Sequence, residues 1–472
     1  MASSRLLLRG GTIVPVDPAL PAEFVGDILV EDDLIAAIAP RLDLTEGTAE
    51  ILDLRDHIVI PGMVDTHRHT WQSIFRYAGA DWILADYANA MWRLLGPSFD
   101  PEDTYLSLRV GLAEALDAGV TQVFDWNHNL NSPEHADATV AAHRDSGARV
   151  VLGYGQSSQV WAQILDPDIG SSTAAPAPDI RRLAGQYYSS REQLLTLALA
   201  ARGPECSPIA GVVEEAKLAD ELGLRSSIHV GNGSWGHLQP VRKMLEAGCD
   251  LERVTWVHGN SLPDSDFDLI KQTGGAVSCA PALESHMGHG HPSVERCLQR
   301  GIRPSLSVDT CVNVSGDVFS IMRAALVSVR GDAHERQVQQ GGDPDKVPVT
   351  TRDVLEFGTL AGARANGLGE VTGSLSVGKQ ADIVTINCRA PNLMPMTYAA
   401  GSAVMGAHAG NVDTVLVAGR VVKRDGRLVD VDLHDLASQA RDTRDRLFAR
   451  VGATVGGWMP PRTARNWQGT PE

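Results

Sequence analysis

The sequence predicts an α/β protein, a (β/α)8 TIM-type barrel with a small β-sandwich built from both ends of the chain. Two observations carry this expectation. Eight apolar, β-rich segments alternate with helical patterns through the middle of the chain, the pattern of parallel strands joined by crossover helices. Short runs rich in Val and Ile, separated by Gly, Pro and Asp, occupy the first part of the chain and return near its end.

Taken in order, residues 6–16, 26–31 and 34–39 read as strands of the first half of the β-sandwich. The eight barrel segments are 58–64, 121–126, 149–153, 194–200, 225–230, 253–257, 276–279 and 303–308. Helical patterns at 104–118, 136–146, 208–222 and 238–247 end at Gly119, Gly147, Gly223 and Gly248, as a left-handed C-terminal cap favours. Residues 157–188, with Pro167, Pro176 and Pro178, read as a long excursion after the third strand. Residues 382–386 and 414–422, with a turn at 423–427, return to the β-sandwich, and a charged helix begins at Leu433. The expected division is therefore 1–60 and 374–430 for the β-sandwich, 61–373 for the barrel, and 431–472 for a C-terminal helix and tail.

Composition narrows the function. Of 472 residues, 43% are hydrophobic and 21% charged, an ordinary globular balance. Lys and Arg number 41 against 58 Asp and Glu, a net charge of −17. That argues against nucleic acid and anionic membranes as partners. No apolar run reaches membrane-spanning length. Arg5, Arg9, Gly10 and Gly11 interrupt the start, which lacks the apolar stretch of a signal peptide. The six cysteines are scattered without a CxxC, which reads as reduced thiols in a cytoplasmic protein.

The chemistry is concentrated at strand ends. His67 and His69 sit in Pro61-Gly-Met-Val-Asp-Thr-His-Arg-His69, where an extended backbone directs residues i and i+2 to one side. His229 and His258 end the fifth and sixth strands, and Asp309 ends the eighth. In a barrel these ends share one mouth, where active sites lie. Three imidazoles and a carboxylate suit zinc, and also iron or manganese. Such an ion, with an open position, lowers the pKa of its water to about 7.

These residues, together with Gly373-Ser-Leu-Ser-Val-Gly-Lys-Gln-Ala-Asp382, give the chain its resemblance to the amidohydrolase superfamily, in the branch of cytosine-deaminase-like and triazine-hydrolase-like aminohydrolases. The resemblance extends over nearly the whole chain. It implies one divalent metal per chain, zinc first, with iron or manganese as alternatives, held by His67, His69, His229 and Asp309. It implies that His258 polarises the substrate and that Asp309 takes a proton from the attacking water. Two-metal relatives use a modified Lys at the fourth strand, and residues 194–206 contain none, which supports a single ion. Homo-oligomers, dimers or larger, are expected from the same resemblance.

One position departs from that pattern. Deaminases of the branch carry a Glu three residues after the fifth-strand His, and here Asn232 stands there. A carboxamide orients a ligand but does not exchange protons. Glu284 and His286, after the seventh strand, are the candidate replacements, whereas His289 and His291 read as solvated loop residues. Trp71, Gln72, Phe75, His128 and Asn232 are candidate substrate contacts. The aromatics of 82–92 read first as packing and second as a lid. Gly231-Asn-Gly-Ser-Trp-Gly236 matches a dinucleotide fingerprint, but the following strand ends in His258 and lacks the acidic residue that would bind ribose. The expected function is metal-dependent hydrolysis of a C–N bond in a small cyclic or heteroaromatic nitrogen compound. A non-hydrolytic lyase or isomerase, or a catalytically inactive ligand-binding protein, are the alternatives.

Overall fold

Eight parallel strands form the barrel: Met63–Arg68, Val120–Asn127, Arg149–Tyr154, Leu195–Ala201, Arg225–Val230, Val254–His258, Ala276–Cys279 and Ser305–Leu306. The computed structural model describes residues 5–45, 47–163, 176–190, 192–454, 456 and 458–460. The eighth strand is only two residues long, and the barrel closes beyond it. Asp309 N–H donates to the His67 carbonyl (2.9 Å) and His69 N–H donates to the Asp309 carbonyl (2.7 Å). The hydrogen bonds that close the barrel therefore bring the first and last strand-end residues together.

Inside the barrel, Thr66, Ser278 and Ser305 share hydroxyl hydrogen bonds of 2.7 and 2.9 Å. This layer is small and polar, and each hydroxyl has a partner, which removes the desolvation cost of burying it. Outside, the crossover helices cover the strands with apolar faces. Pro101–Asp117 is started by an Asp100 capping box and buries Leu108, Leu112, Ala115 and Leu116. The large cluster between barrel and helices includes Trp256, Phe267, Phe319 and Phe357.

The two ends of the chain meet in one nine-stranded sheet. Arg5–Ile13 lies between Phe24–Glu31 and His57–Pro61, and Ile383–Asn387 pairs antiparallel with His57–Pro61. The expected first barrel strand, 58–64, is thus two strands. His57–Pro61 belongs to the terminal sheet and Met63–Arg68 to the barrel, with Gly62 between. A Cβ at Gly62 would lie 2.0 Å from the Thr121 hydroxyl, so only glycine lets the chain cross there.

Arg149, at the foot of the third barrel strand, ties the barrel to this sheet. Its guanidinium bonds both carboxylate oxygens of Asp382 (2.8 and 3.1 Å), and both side chains are fully buried. Asp382 also accepts from the Thr372 hydroxyl and the Ala418 N–H.

The excursion after the third strand contains Ser158–Ala162 and Ala177–Tyr187, two helices, and its middle, 164–175, lies outside the described residues. The C-terminal helix Leu433–Arg450 lies on the barrel, where Arg446 and Arg450 pair with the buried Asp103. All six cysteines are buried free thiols. Among the described residues, no helix is long and apolar enough to cross a membrane.

Candidate metal centre and active site

His67, His69, His229, His258 and Asp309 converge at the C-terminal mouth of the barrel. His67 Nε2 lies 3.1 Å from His229 Nε2 and 3.7 Å from Asp309 Oδ1. His69 Nε2 lies 3.4 Å from Asp309 Oδ1, and His258 Nε2 lies 3.3 Å from Asp309 Oδ2. Two overlapping groups, His67 with His229 and His258, and His67 with His69 and Asp309, each keep their ligand atoms within 4.8 Å of one another.

Backbone conformation aims two of these side chains. His258 and Asp309 adopt positive φ, 77° and 68°, a region that side-chain-bearing residues rarely occupy. Both stand where a strand ends and the chain turns away, so the strain is concentrated at the mouth.

The donor set fits a divalent metal. Burial pushes His67 down to about 3, against the pull of Asp309. Burial also lowers His69, and it lowers His229 far below the ordinary value together with the neighbouring imidazoles. Neutral rings offer lone pairs. The His69 Nδ1–H donates to the Trp126 carbonyl at 2.8 Å, which leaves Nε2 unprotonated and pointing at the cluster. Burial alone would raise the Asp309 carboxyl. The His67 hydrogen bond and the fields of His67, His258 and His69 overcome it and hold the group well below the carboxylate range. Two ligands at bonds of about 2.0–2.1 Å and tetrahedral angles would sit roughly 3.3 Å apart, close to the His67–His229 spacing.

Glu284 stands behind His258. Its Oε1 lies 3.1 Å from His258 Nδ1 and accepts from the Ala280 N–H at 2.8 Å. It is fully buried and does not reach the cavity wall. His286 is exposed on the outer face of the same helix, Pro281–Met287. Two residues along a helix turn a side chain by about 200°, so Glu284 and His286 face opposite ways. Gly288, with φ 77°, then turns the chain back and buries His289 at 2% exposure in the cavity wall. The expectation of a solvated His289 is therefore corrected, while His291 is exposed and pairs with Asp332.

The cavity is narrow, with about 40 Å³ open to the centres of water-sized molecules. His128 and Asn232 line it; Trp71, Gln72 and Phe75 do not. Trp71 and Gln72 are fully buried and support its walls from behind. Gln72 donates to the Tyr87 hydroxyl (2.6 Å) and accepts from Thr310 (2.7 Å), and both of those residues line the cavity. His128 lies between two indole N–H groups, Trp92 at 2.9 Å and Trp71 at 3.2 Å. A neutral imidazole has one acceptor nitrogen, so it accepts from one of them; burial keeps the ring neutral. From the 82–92 segment, Leu84, Tyr87 and Trp92 face the cavity, while Trp82 packs in the core. Trp161, Trp235 and Thr310 are wall residues that the sequence reading did not single out.

Glu205 supports the loop that carries Asn232. Both of its oxygens accept from the Gly231 N–H, at 2.9 and 3.0 Å. Burial without a strong cation pushes its carboxyl up to about 8. The folded protein thus holds a proton that the unfolded chain releases, and stability falls as pH rises from about 4.5 to about 8. Glu205→Gln removes this dependence, so the melting temperature of the variant will gain several degrees on the wild type between pH 5 and pH 8. Melting curves that stay parallel across that range would disprove the assignment.

The chain is similar to known proteins over most of its length. The amidohydrolase family profile matches residues 58–422. A 5'-deoxyadenosine deaminase from Methanothermobacter thermautotrophicus is 28% identical over 413 residues, 85% of this chain and 90% of the relative. A 5-methylthioadenosine/S-adenosylhomocysteine deaminase from Nitratidesulfovibrio vulgaris is 28% identical over 465 residues, 95% of this chain and 98% of the relative. Among solved structures, an adenosine deaminase from Xanthomonas campestris with bound zinc superposes with a TM-score of 0.80 at 22% identity, covering 94% of this chain and 99% of that one. An atrazine chlorohydrolase from Arthrobacter aurescens with zinc gives 0.79 at 21% identity, over 93% and 100%. These likenesses support the barrel and terminal sheet, and the profile match assigns the chain to the amidohydrolase family, whose members are metal-dependent hydrolases.

Proposed function

We propose that this protein hydrolyses the exocyclic C–N bond of an amino-substituted heteroaromatic ring, releasing ammonia or a small amine and leaving a ring carbonyl. The observation that carries this reading is the convergence of His67, His69, His229 and Asp309, with His258 beside them, at a cavity in the barrel mouth lined by His69, His229, His258 and Asp309. The deaminase names of the relatives support the bond type. His67, His69, His229 and Asp309 would hold one divalent metal, zinc first and iron or manganese as alternatives. Such an ion supplies Lewis acidity that makes water nucleophilic near neutral pH.

The remaining chemistry falls to side chains. Asp309 is ionised at neutral pH and accepts a proton from the attacking water. His258 stands 3.3 Å from Asp309 and hydrogen-bonds the substrate where charge develops. Glu284 is a positioning residue that fixes the His258 ring through Nδ1. Asn232 orients the ring without exchanging protons.

A second reading, a lyase or isomerase, is favoured by one observation, the amide at 232. Turnover of a panel of ring amines in ¹⁸O water separates the two. Hydrolysis predicts ammonia or amine release matched by one labelled oxygen in the product. Product formation without label would overturn hydrolysis in favour of the second reading.

A further inference from the structure

The opposite end of the barrel, its floor, holds a second cavity. Arg225 opens the fifth strand, Arg253 directly precedes the sixth, and Arg303 precedes the eighth. Lys271 and Arg364 reach the same cavity from helices Asp264–Thr273 and Leu360–Ala365. Extended chain runs from Arg253 to His258, so the floor lies roughly 15 Å from the catalytic mouth. Gly274, Gly301, Ala361 and Ala365 add little bulk to the lining. About 420 Å³ is open to the centres of water-sized molecules, against about 40 Å³ at the mouth.

The lining is cationic in a chain whose net charge is −17. It carries the five basic side chains and two carboxylates, Glu252 and Glu356. Glu356 is shared, since it pairs with Arg303 and stands 4.0 Å from Arg364. From beside the cavity, Asp353 pairs with Arg303 at 2.9 Å, and Asp220 approaches Arg253 only to 4.0 Å. Lys271 donates to the Gly301 carbonyl at 2.8 Å and lies in the last turn of its helix, where a cation is favoured. That reason covers Lys271 and none of the arginines at the strand starts. Gathering like charges around one cavity costs Coulomb energy, which an anion inside it offsets.

The lining also limits what the anion is. Guanidinium forks match the paired oxygens of a phosphate. Among the described lining residues none is aromatic, so a purine or pyrimidine would find no ring to stack on. We propose that the barrel floor binds a small, multiply charged phosphate compound without an aromatic base, through Arg225, Arg253, Lys271, Arg303 and Arg364. This site is separate from the catalytic mouth and does not depend on the reaction there. Inorganic pyrophosphate and a bisphosphorylated sugar share the required chemistry.

Calorimetry on the metal-loaded protein at about 0.15 M salt tests this with pyrophosphate, fructose 1,6-bisphosphate, ADP and citrate. Pyrophosphate or the sugar bisphosphate will bind at one site per chain, and the tighter of the two names the source. Lys271→Gln combined with Arg364→Gln will weaken that binding by about tenfold or more. Both side chains are exposed, so the melting temperature without ligand will stay near that of the wild type. Should the double variant fold poorly, Arg253→Gln alone will still weaken binding severalfold. Phosphates also chelate metal ions, so His67→Ala is the control, and it will bind the anion as the wild type does. Binding that survives the floor variants, or that is lost in His67→Ala, would overturn the inference. ADP or citrate binding about tenfold more tightly than both phosphate probes would overturn the ligand class. No saturable binding of any probe up to about 10 mM would overturn the site itself.

Discussion

His67→Ala purified without chelator will hold less than about a tenth of the wild-type metal and will show no measurable turnover. His67 is the group common to both ligand clusters, with His229 at 3.1 Å and Asp309 at 3.7 Å. Burial keeps His67 at about 3 and His69 and His229 below the ordinary imidazole value. Protons therefore compete weakly for these nitrogens, and wild-type metal uptake will change little between about pH 8 and about pH 5. Elemental analysis of wild type and variant, and uptake titrations at the two pH values, check both parts. Stoichiometric metal in the variant would remove His67 from the centre, and uptake that collapses near pH 6.5 would show that these imidazoles titrate as ordinary ones.

Asp309→Asn will lower kcat by about 10³-fold or more. The substitution keeps the size and planarity of the side chain and removes its charge and its basicity. Three consequences coincide. The attacking water loses its proton acceptor, the cluster loses its only anion, and the His258 ring loses its 3.3 Å partner. The backbone closure of the barrel through the Asp309 N–H and carbonyl is untouched, so the variant will fold with a melting temperature near that of the wild type. Metal content and kcat are measured on the same sample. A variant that carries full metal and keeps more than a tenth of the activity would show that the water proton goes elsewhere.

Much of this site was legible in the sequence because barrel strands end at a common mouth. Five chemically capable residues at four strand ends need no long-range information to be grouped, and those five are the cluster observed. The rest depended on short turns. Glu284 and His286 look equivalent in a Gly-rich run, but they lie on a seven-residue helix and face opposite ways. Its apolar positions, Leu283 and Met287, already mark the inward face and exclude His286. His289 had no such signal. Its burial follows from the left-handed turn at Gly288, and a glycine permits that turn without requiring it. Trp71 and Gln72 follow His67 and His69 in sequence, yet the chain coils tightly over Thr70–Phe75 and drives both into the interior. The continuous apolar run at 58–64 hid the passage between two sheets, since both sheets bury it equally.

The buried pair of Arg149 and Asp382 makes the far end of the chain part of the folding unit of the barrel. Losing the return strand would leave a guanidinium unpaired in the interior, at a cost of about 3–5 kcal/mol, a large part of the stability of an ordinary domain. A chain still emerging from the ribosome has made Arg149 but not yet Asp382, more than two hundred residues later. The third barrel strand therefore cannot reach its final environment until synthesis is almost finished. Completion of the barrel is in this way a late event in the making of the chain, timed by the arrival of Asp382.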